Sequence, residues 1–150
     1  MIDLAAFEAD CRRDIPLLTA MQLSLVAYDN LQLTLAAPLA PNINNKGTAF
    51  GGSIASICLF GGWAVSTLAF AERGIADTEI VVYSSEMIFE RPARGHLLVK
   101  AGPEPERFGT CVEALATGSD ERLRFDVDVE VFHDAVRCAR MRGVYVVWRR

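Results

Sequence analysis

The chain of 150 residues is poor in lysine: of 15 basic side chains only Lys46 and Lys100 are lysines, set against 19 acidic ones. The net charge of −4 leaves no basic footprint for nucleic acid. Histidine is equally scarce, with His96 and His133 alone, and Cys11, Cys58, Cys111 and Cys138 lie far apart with no C-x-x-C pair. Neither a zinc site nor a dithiol couple is legible there, so no metal and no cofactor is expected, and the thiols read as the reduced cysteines of a cytoplasmic protein. The first residues carry Asp3, Glu8, Asp10 and Asp14 where a secretory signal would need a basic leader and an unbroken apolar run. A G-x-S-x-G elbow is missing, which removes the usual serine-hydrolase arrangement at Ser53. What remains is a globular composition, 51% hydrophobic and 23% charged, of a size to form one domain over 1–150.

The longest absence is one of charge, since no charged residue occurs from Gly47 to Ala71. Such a run is also how a membrane span announces itself. Here it carries Gly51, Gly52, Gly61 and Gly62 with several Ser and Thr, its flanks Lys46 and Glu72-Arg73 give little positive-inside asymmetry, and amphipathic strands follow. The expectation is a buried core helix and no membrane. The polar segment Asn42-Ile43-Asn44-Asn45-Lys46-Gly47-Thr48-Ala49-Phe50 leads into its start at Gly51-Gly52-Ser53. A helix beginning there presents unpaired N–H groups and a positive dipole end to a ligand oxygen.

Upstream, Leu4, Phe7 and Cys11 recur at helical spacing, and Ile15-Pro16 interrupts, which predicts one or two short helices. Gln22 to Tyr28 and Leu31 to Ala37 alternate as a hairpin about Asp29-Asn30, and Pro38 to Pro41 delivers the chain to the long helix, which should run from Gly51 to Glu72. Downstream, Thr78 to Glu90, Gly95 to Ala101, Gly109 to Thr117, Arg122 to Phe132 and Met141 to Trp148 read as five strands, with a longer connection over His133 to Arg140. A sheet around one apolar helix is an α+β arrangement that leaves an edge strand open, so a homodimer at least is expected, with dimer against tetramer open.

This order of elements, with Gly47-Thr48-Ala49-Phe50-Gly51-Gly52 at the helix start, Gly61-Gly62-Trp63 within it, and Glu86-Met87-Ile88-Phe89-Glu90-Arg91-Pro92 after it, resembles the hot-dog fold thioesterases. It looks most like the YiiD C-terminal-domain group, relatives of the PaaI-like acyl-coenzyme A thioesterases. The resemblance implies an antiparallel β-sheet wrapped around a long central helix, and an acyl thioester on coenzyme A or an acyl carrier protein, bound where two subunits meet. Thr48, Phe50, Gly51, Gly52 and Ser53 would then bind substrate, with the backbone N–H groups of the last three holding the oxyanion.

The same resemblance places a water-orienting Asn at Asn44, with Asn42 and Asn45 as neighbours. The PaaI-like relatives also carry a His before the two glycines and a carboxylate about nine residues on, where this chain has Phe50 and Leu59. A replacement for that carboxylate is expected from Tyr83-Ser84-Ser85-Glu86, with Ser85 or Glu86 meeting a loop Asn of the partner subunit. Strand alternation puts Tyr83 and Ser85 with Met87 and Phe89, and Ser84 and Glu86 on the other face, unless a bulge reverses it. Asn44 and Asn45 also suit turn bonding, and Glu86 a solvated strand. The missing carboxylate keeps two other functions in view, a non-catalytic acyl-thioester binding domain and a hot-dog hydratase or dehydratase. Arg91, Arg94 and Arg107 are candidates for the phosphates of coenzyme A.

Overall fold

The computed structural model describes residues 1–150. Asp3 caps the first helix, α1 (Leu4–Asp14), its carboxylate accepting from Ala6 N at 3.0 Å. Pro16, with no N–H to lose, starts α2 (Pro16–Ala20). Two strands follow, β1 (Ser24–Asp29) and β2 (Gln32–Ala37). The hairpin turn falls one residue later than expected, on Asn30 and Leu31, both at positive φ (49° and 63°).

After a single 3-10 turn at Ala40–Asn42 come the long helix α3 (Gly51–Glu72), β3 (Thr78–Phe89) and β4 (Leu97–Pro103). The chain ends with α4 (Pro105–Ala116), β5 (Leu123–His133) and β6 (Val136–Arg149). The six strands form one antiparallel sheet in the order β1-β2-β4-β5-β6-β3, and α3 packs against β2, β3, β4, β5 and β6, while Tyr28 of β1 reaches its last turn by donating to the Glu72 carboxylate at 2.9 Å. This is the hot-dog architecture, with 67% of the helix's most apolar stretch buried inside the fold.

Two expectations are corrected. The expected strand Gly109 to Thr117 is helical up to Ala116, with Thr117 as the C-cap: Pro105 occupies the first turn of α4, and the Glu104 carboxylate accepts from the N–H groups of Glu106 and Arg107, each at 3.0 Å. The stripe Phe108, Cys111, Leu115 is buried, a 3- and 4-residue spacing that the alternation of Thr110 and Val112 disguises. The connection over His133 to Arg140 is a tight hairpin instead, turning on Asp134 and Ala135 at positive φ (48° and 60°), and β6 begins at Val136.

Glycines set how closely α3 approaches the sheet. A Cβ on Gly61 would meet Leu35 Cδ1 at 3.4 Å, and one on Gly62 would overlap Tyr145 Oη. Tyr145 is fully buried; its hydroxyl donates to the Leu59 carbonyl at 2.8 Å, and burial raises its pKa. Beyond it, Phe70, Phe108 and Phe125 pack with ring centroids 4.8 to 6.3 Å apart, closing the far end of the core.

Candidate functional site

The polar loop before α3 folds on its own side chains. Asn42 is buried, its side-chain amide nitrogen donating to the carbonyls of Met21 (2.9 Å) and Pro38 (2.8 Å), while its backbone carbonyl accepts from Phe50 N at 2.7 Å. It fixes the loop rather than facing a ligand. Asn44 closes a turn around Gly47 (φ 77°). Its Oδ1 accepts from Lys46 N (2.9 Å) and Thr48 N (3.1 Å), and its Nδ2 donates to Thr48 Oγ1 (2.9 Å). With these bonds made, the Asn44 amide and the buried Thr48 hydroxyl act as the turn's framework. Asn45, next to it, is exposed.

The loop hands the chain to α3 without a cap. Phe50 stands at the N-cap in extended backbone and supplies no side-chain acceptor, and the first helical bond is Ile54 N to Phe50 O at 3.1 Å. The N–H groups of Gly51, Gly52 and Ser53 therefore have no partner inside the helix. Two phenyl rings flank them, Phe50 lying over Gly52 and Phe89 standing 3.6 Å from where a Gly51 Cβ would be, each 55% exposed.

Beside the helix start runs β3, the last strand of the sheet, bonded only to β6. A bulge between Val82 and Ser84 reverses its alternation. Ile80 and Val82 oppose the buried Val147 and Tyr145 before it, whereas Met87 and Phe89 oppose the buried Met141 and Ala139 after it. Ser85 shares the helix-facing side with Met87 and Phe89. Tyr83 does not, contrary to the expectation: it lies on the outer face, where the Arg124 guanidinium sits 4.1 Å from its ring centroid. Ser84 and Glu86 face outward too, Glu86 opposite Arg142, which is paired with Asp128 at 3.0 Å. Within one chain, then, Ser85 and the glycine N–H groups share a side of the sheet and Glu86 is on the other.

Sequence reasoning did not find the cavity that lies along α3 from Ser56, one turn beyond this start. It measures about 310 Å³ and is walled by Ser56, Leu59, Phe60 and Trp63 of α3, by Ile15 to Met21 around α2, and by Val82 and Tyr145 from the sheet. Beside the aromatic Tyr145 and Trp63 it has one hydroxyl on a small side chain, that of Ser56, which donates to Gly52 O at 2.8 Å, one turn back toward the helix start. Leu59, where a carboxylate was expected of relatives, forms part of the apolar wall. The 3-, 4- and 7-residue spacing of Ser56, Leu59, Phe60 and Trp63 was readable, but the cover from α2 and Val82 depends on tertiary packing. Phe70 belongs to the core cluster and lines no part of it.

The remaining side chains fall outside this seam or at its rim. All four cysteines are buried and free; burial pushes Cys58 up to about 12 and Cys11 and Cys111 to about 11, away from nucleophilic use at neutral pH. Arg107 lies 3.7 Å from Asp126. Arg91 and Arg94 are exposed on either side of Ala93, whose carbonyl accepts from Ala49 N at 2.8 Å, so both are tied to the loop before α3. The neighbouring Glu90 is engaged by Arg137 at 2.8 Å, which holds its carboxyl below the usual range.

A family model described as "Putative thioesterase (yiiD_Cterm)" matches residues 4–149 of this chain. Among solved structures, a "putative thioesterase" from Shewanella oneidensis is 27% identical, with a TM-score of 0.80 over 95% of both chains. A protein of unknown function from Chlorobaculum tepidum TLS is 24% identical, with a TM-score of 0.86 over 97% of this chain and 94% of that one. A Pseudomonas aeruginosa protein described as "Probable Thioesterase" is 20% identical, with a TM-score of 0.77 over 93% and 91%. The last two share the fold.

Proposed function

We infer that this chain, which belongs to the YiiD C-terminal-domain thioesterase family, hydrolyses acyl thioesters of coenzyme A or an acyl carrier protein. The observation that carries the reading is the placement, on one helix, of an uncapped start and an apolar cavity one turn further along. The thioester carbonyl would lie over the N–H groups of Gly51, Gly52 and Ser53, which take up the charge developing on its oxygen as water attacks. Its acyl chain would follow α3 into the cavity, and Phe50 and Phe89 would shield the reacting carbonyl from bulk water. Arg91 and Arg94 would meet the phosphates of the carrier.

In this reading the water is oriented by Ser85 and Asn45, brought together from two copies, because no carboxylate stands at Leu59. The open edge of β3, with Val81, Val82, Tyr83 and Phe89 between 44% and 61% exposed, is the surface a second copy would cover. Asn44 acts on the loop's shape, and Glu86 would reach the site only across a subunit boundary.

The test is release of free thiol from acyl-coenzyme A esters of several lengths by the wild-type chain and by Ser85→Ala and Asn44→Ala. Turnover that drops by roughly tenfold or more in Ser85→Ala supports the assignment. Asn44→Ala should lose activity together with loop stability, about 1 kcal/mol. The leucine at 59 favours a second reading, an acyl-thioester binding domain without turnover; esters that raise the melting temperature but are never cleaved would establish it.

A further inference from the structure

Resting on the thioesterase reading, we propose that Trp63 sets the acyl length, and that the site takes medium chains of about eight to twelve carbons. The near bound is a distance along α3: Gly52 and Leu59 are seven residues apart, about 10 Å of helix rise, and Gly52 and Trp63 eleven, about 16 Å. An extended chain covers about 3.5 Å for every three bonds. A carbonyl held at the helix start thus puts the eighth or ninth atom beside Leu59 and about the fourteenth at Trp63. Volume gives a second bound: since a cavity of about 150 Å³ admits a six-carbon ring, 310 Å³ holds roughly twelve carbons.

Trp63, the lining residue furthest along α3, is held from behind. Phe7 of α1 stacks on it, centroids 6.0 Å apart and planes 17° from parallel, and Phe60 tilts against it at 5.9 Å. The ring cannot swing aside without breaking the contact of α1 with α3. Chains shorter than the cavity leave apolar wall uncovered, and each missing methylene weakens binding about fourfold; chains longer than about fourteen carbons meet the indole.

The experiment measures kcat/KM for saturated acyl-coenzyme A esters from two to eighteen carbons with the wild type, Trp63→Leu and Trp63→Ala, the leucine variant serving if the alanine one fails to fold. Calorimetric binding of the corresponding free fatty acids runs beside it. The expected result is a wild-type optimum at eight to twelve carbons, at least tenfold lower at sixteen, moving by two to four carbons toward longer chains in the variants. A flat wild-type profile, or an optimum unmoved in a folded Trp63 variant, overturns the ruler while leaving the thioesterase reading intact. If no ester is cleaved, fatty-acid affinity that peaks at the same length and shifts with Trp63 keeps the ruler and removes the hydrolase; binding without a length optimum removes the ruler.

Discussion

The two halves of α3 are made of the same kinds of residue and do different things. From Gly61 to Phe70 the helix is enclosed except at Trp63 and Thr67, with Ala64, Val65, Ser66, Ala69 and Phe70 at 0% exposure and Tyr145 lodged against Gly62. From Gly51 to Leu59 one side stays open, the first three N–H groups have no helical partner, and the exposed wall meets a cavity. Glycine admits an aromatic ring in both halves, but at Gly62 it is the fully buried Tyr145 and at Gly52 the half-exposed Phe50, which has space to turn. An apolar helix with no polar face is divided by what the sheet leaves uncovered, not by its own composition.

The sharpest way to break that contrast is to add a side chain in the enclosed half. Gly62→Val would push a branched Cβ into Tyr145 Oη and dislodge its bond to the Leu59 carbonyl. Overpacking of this kind, with a buried hydroxyl left unpaired, should cost about 3 kcal/mol or more, a large share of a small domain's stability. Urea unfolding would show it as a midpoint collapse or as protein that is never soluble. A midpoint within error of the wild type would mean that Tyr145 can leave the helix freely.

The same change at the open end should act on rate rather than on folding. Gly52→Ala places its methyl against Phe50, an exposed ring with space to turn. Stability should stay within about 1 kcal/mol, alanine being the better helix residue. Thiol release should fall by roughly tenfold or more, because methyl and displaced ring crowd the N–H groups that hold the oxyanion. Equal stability and equal turnover would take the site away from the helix start.

How much of this could be read beforehand follows the range of the interactions involved. The extent of α3 was legible from Gly51 to Glu72, because glycine and charge bracket it. The helix-start residues were legible too, since loop and glycines are neighbours in sequence. Residues 109–117 were misread because helix and strand spacing coincide over a short apolar run, and only the pair Glu104 and Pro105 marks the difference. The face of Tyr83 turns on one bulge, which depends on how β3 meets β6. The cavity required Tyr145, Val82 and α2 to meet across the fold, a long-range event with no local signal.

Adjacent residues carry the contrast to its smallest scale: Leu59 lines the cavity, while Cys58 is fully buried in the core with its thiol pushed from 9.0 to about 12 by desolvation. Cys11 and Cys111 move the same way, to about 11. A thiol with a raised folded-state pKa keeps its proton longer than the unfolded chain does, so its contribution is whole below about pH 9 and is lost as pH climbs toward the folded value. Unfolding midpoints in urea should hold level from pH 7 to about 8.5 and fall between about pH 9 and 10, before the tyrosines join, and Cys58→Ala should flatten part of that fall. A midpoint steady through pH 10 would mean that these thiols are less shielded than the fold implies. A saturating medium-chain fatty acid supplies the discriminating arm: it should raise every midpoint by a similar amount and leave the alkaline slope unchanged, because the ligand fills the space beside Leu59 and the thiolate forms on the side of the helix that the sheet already covers.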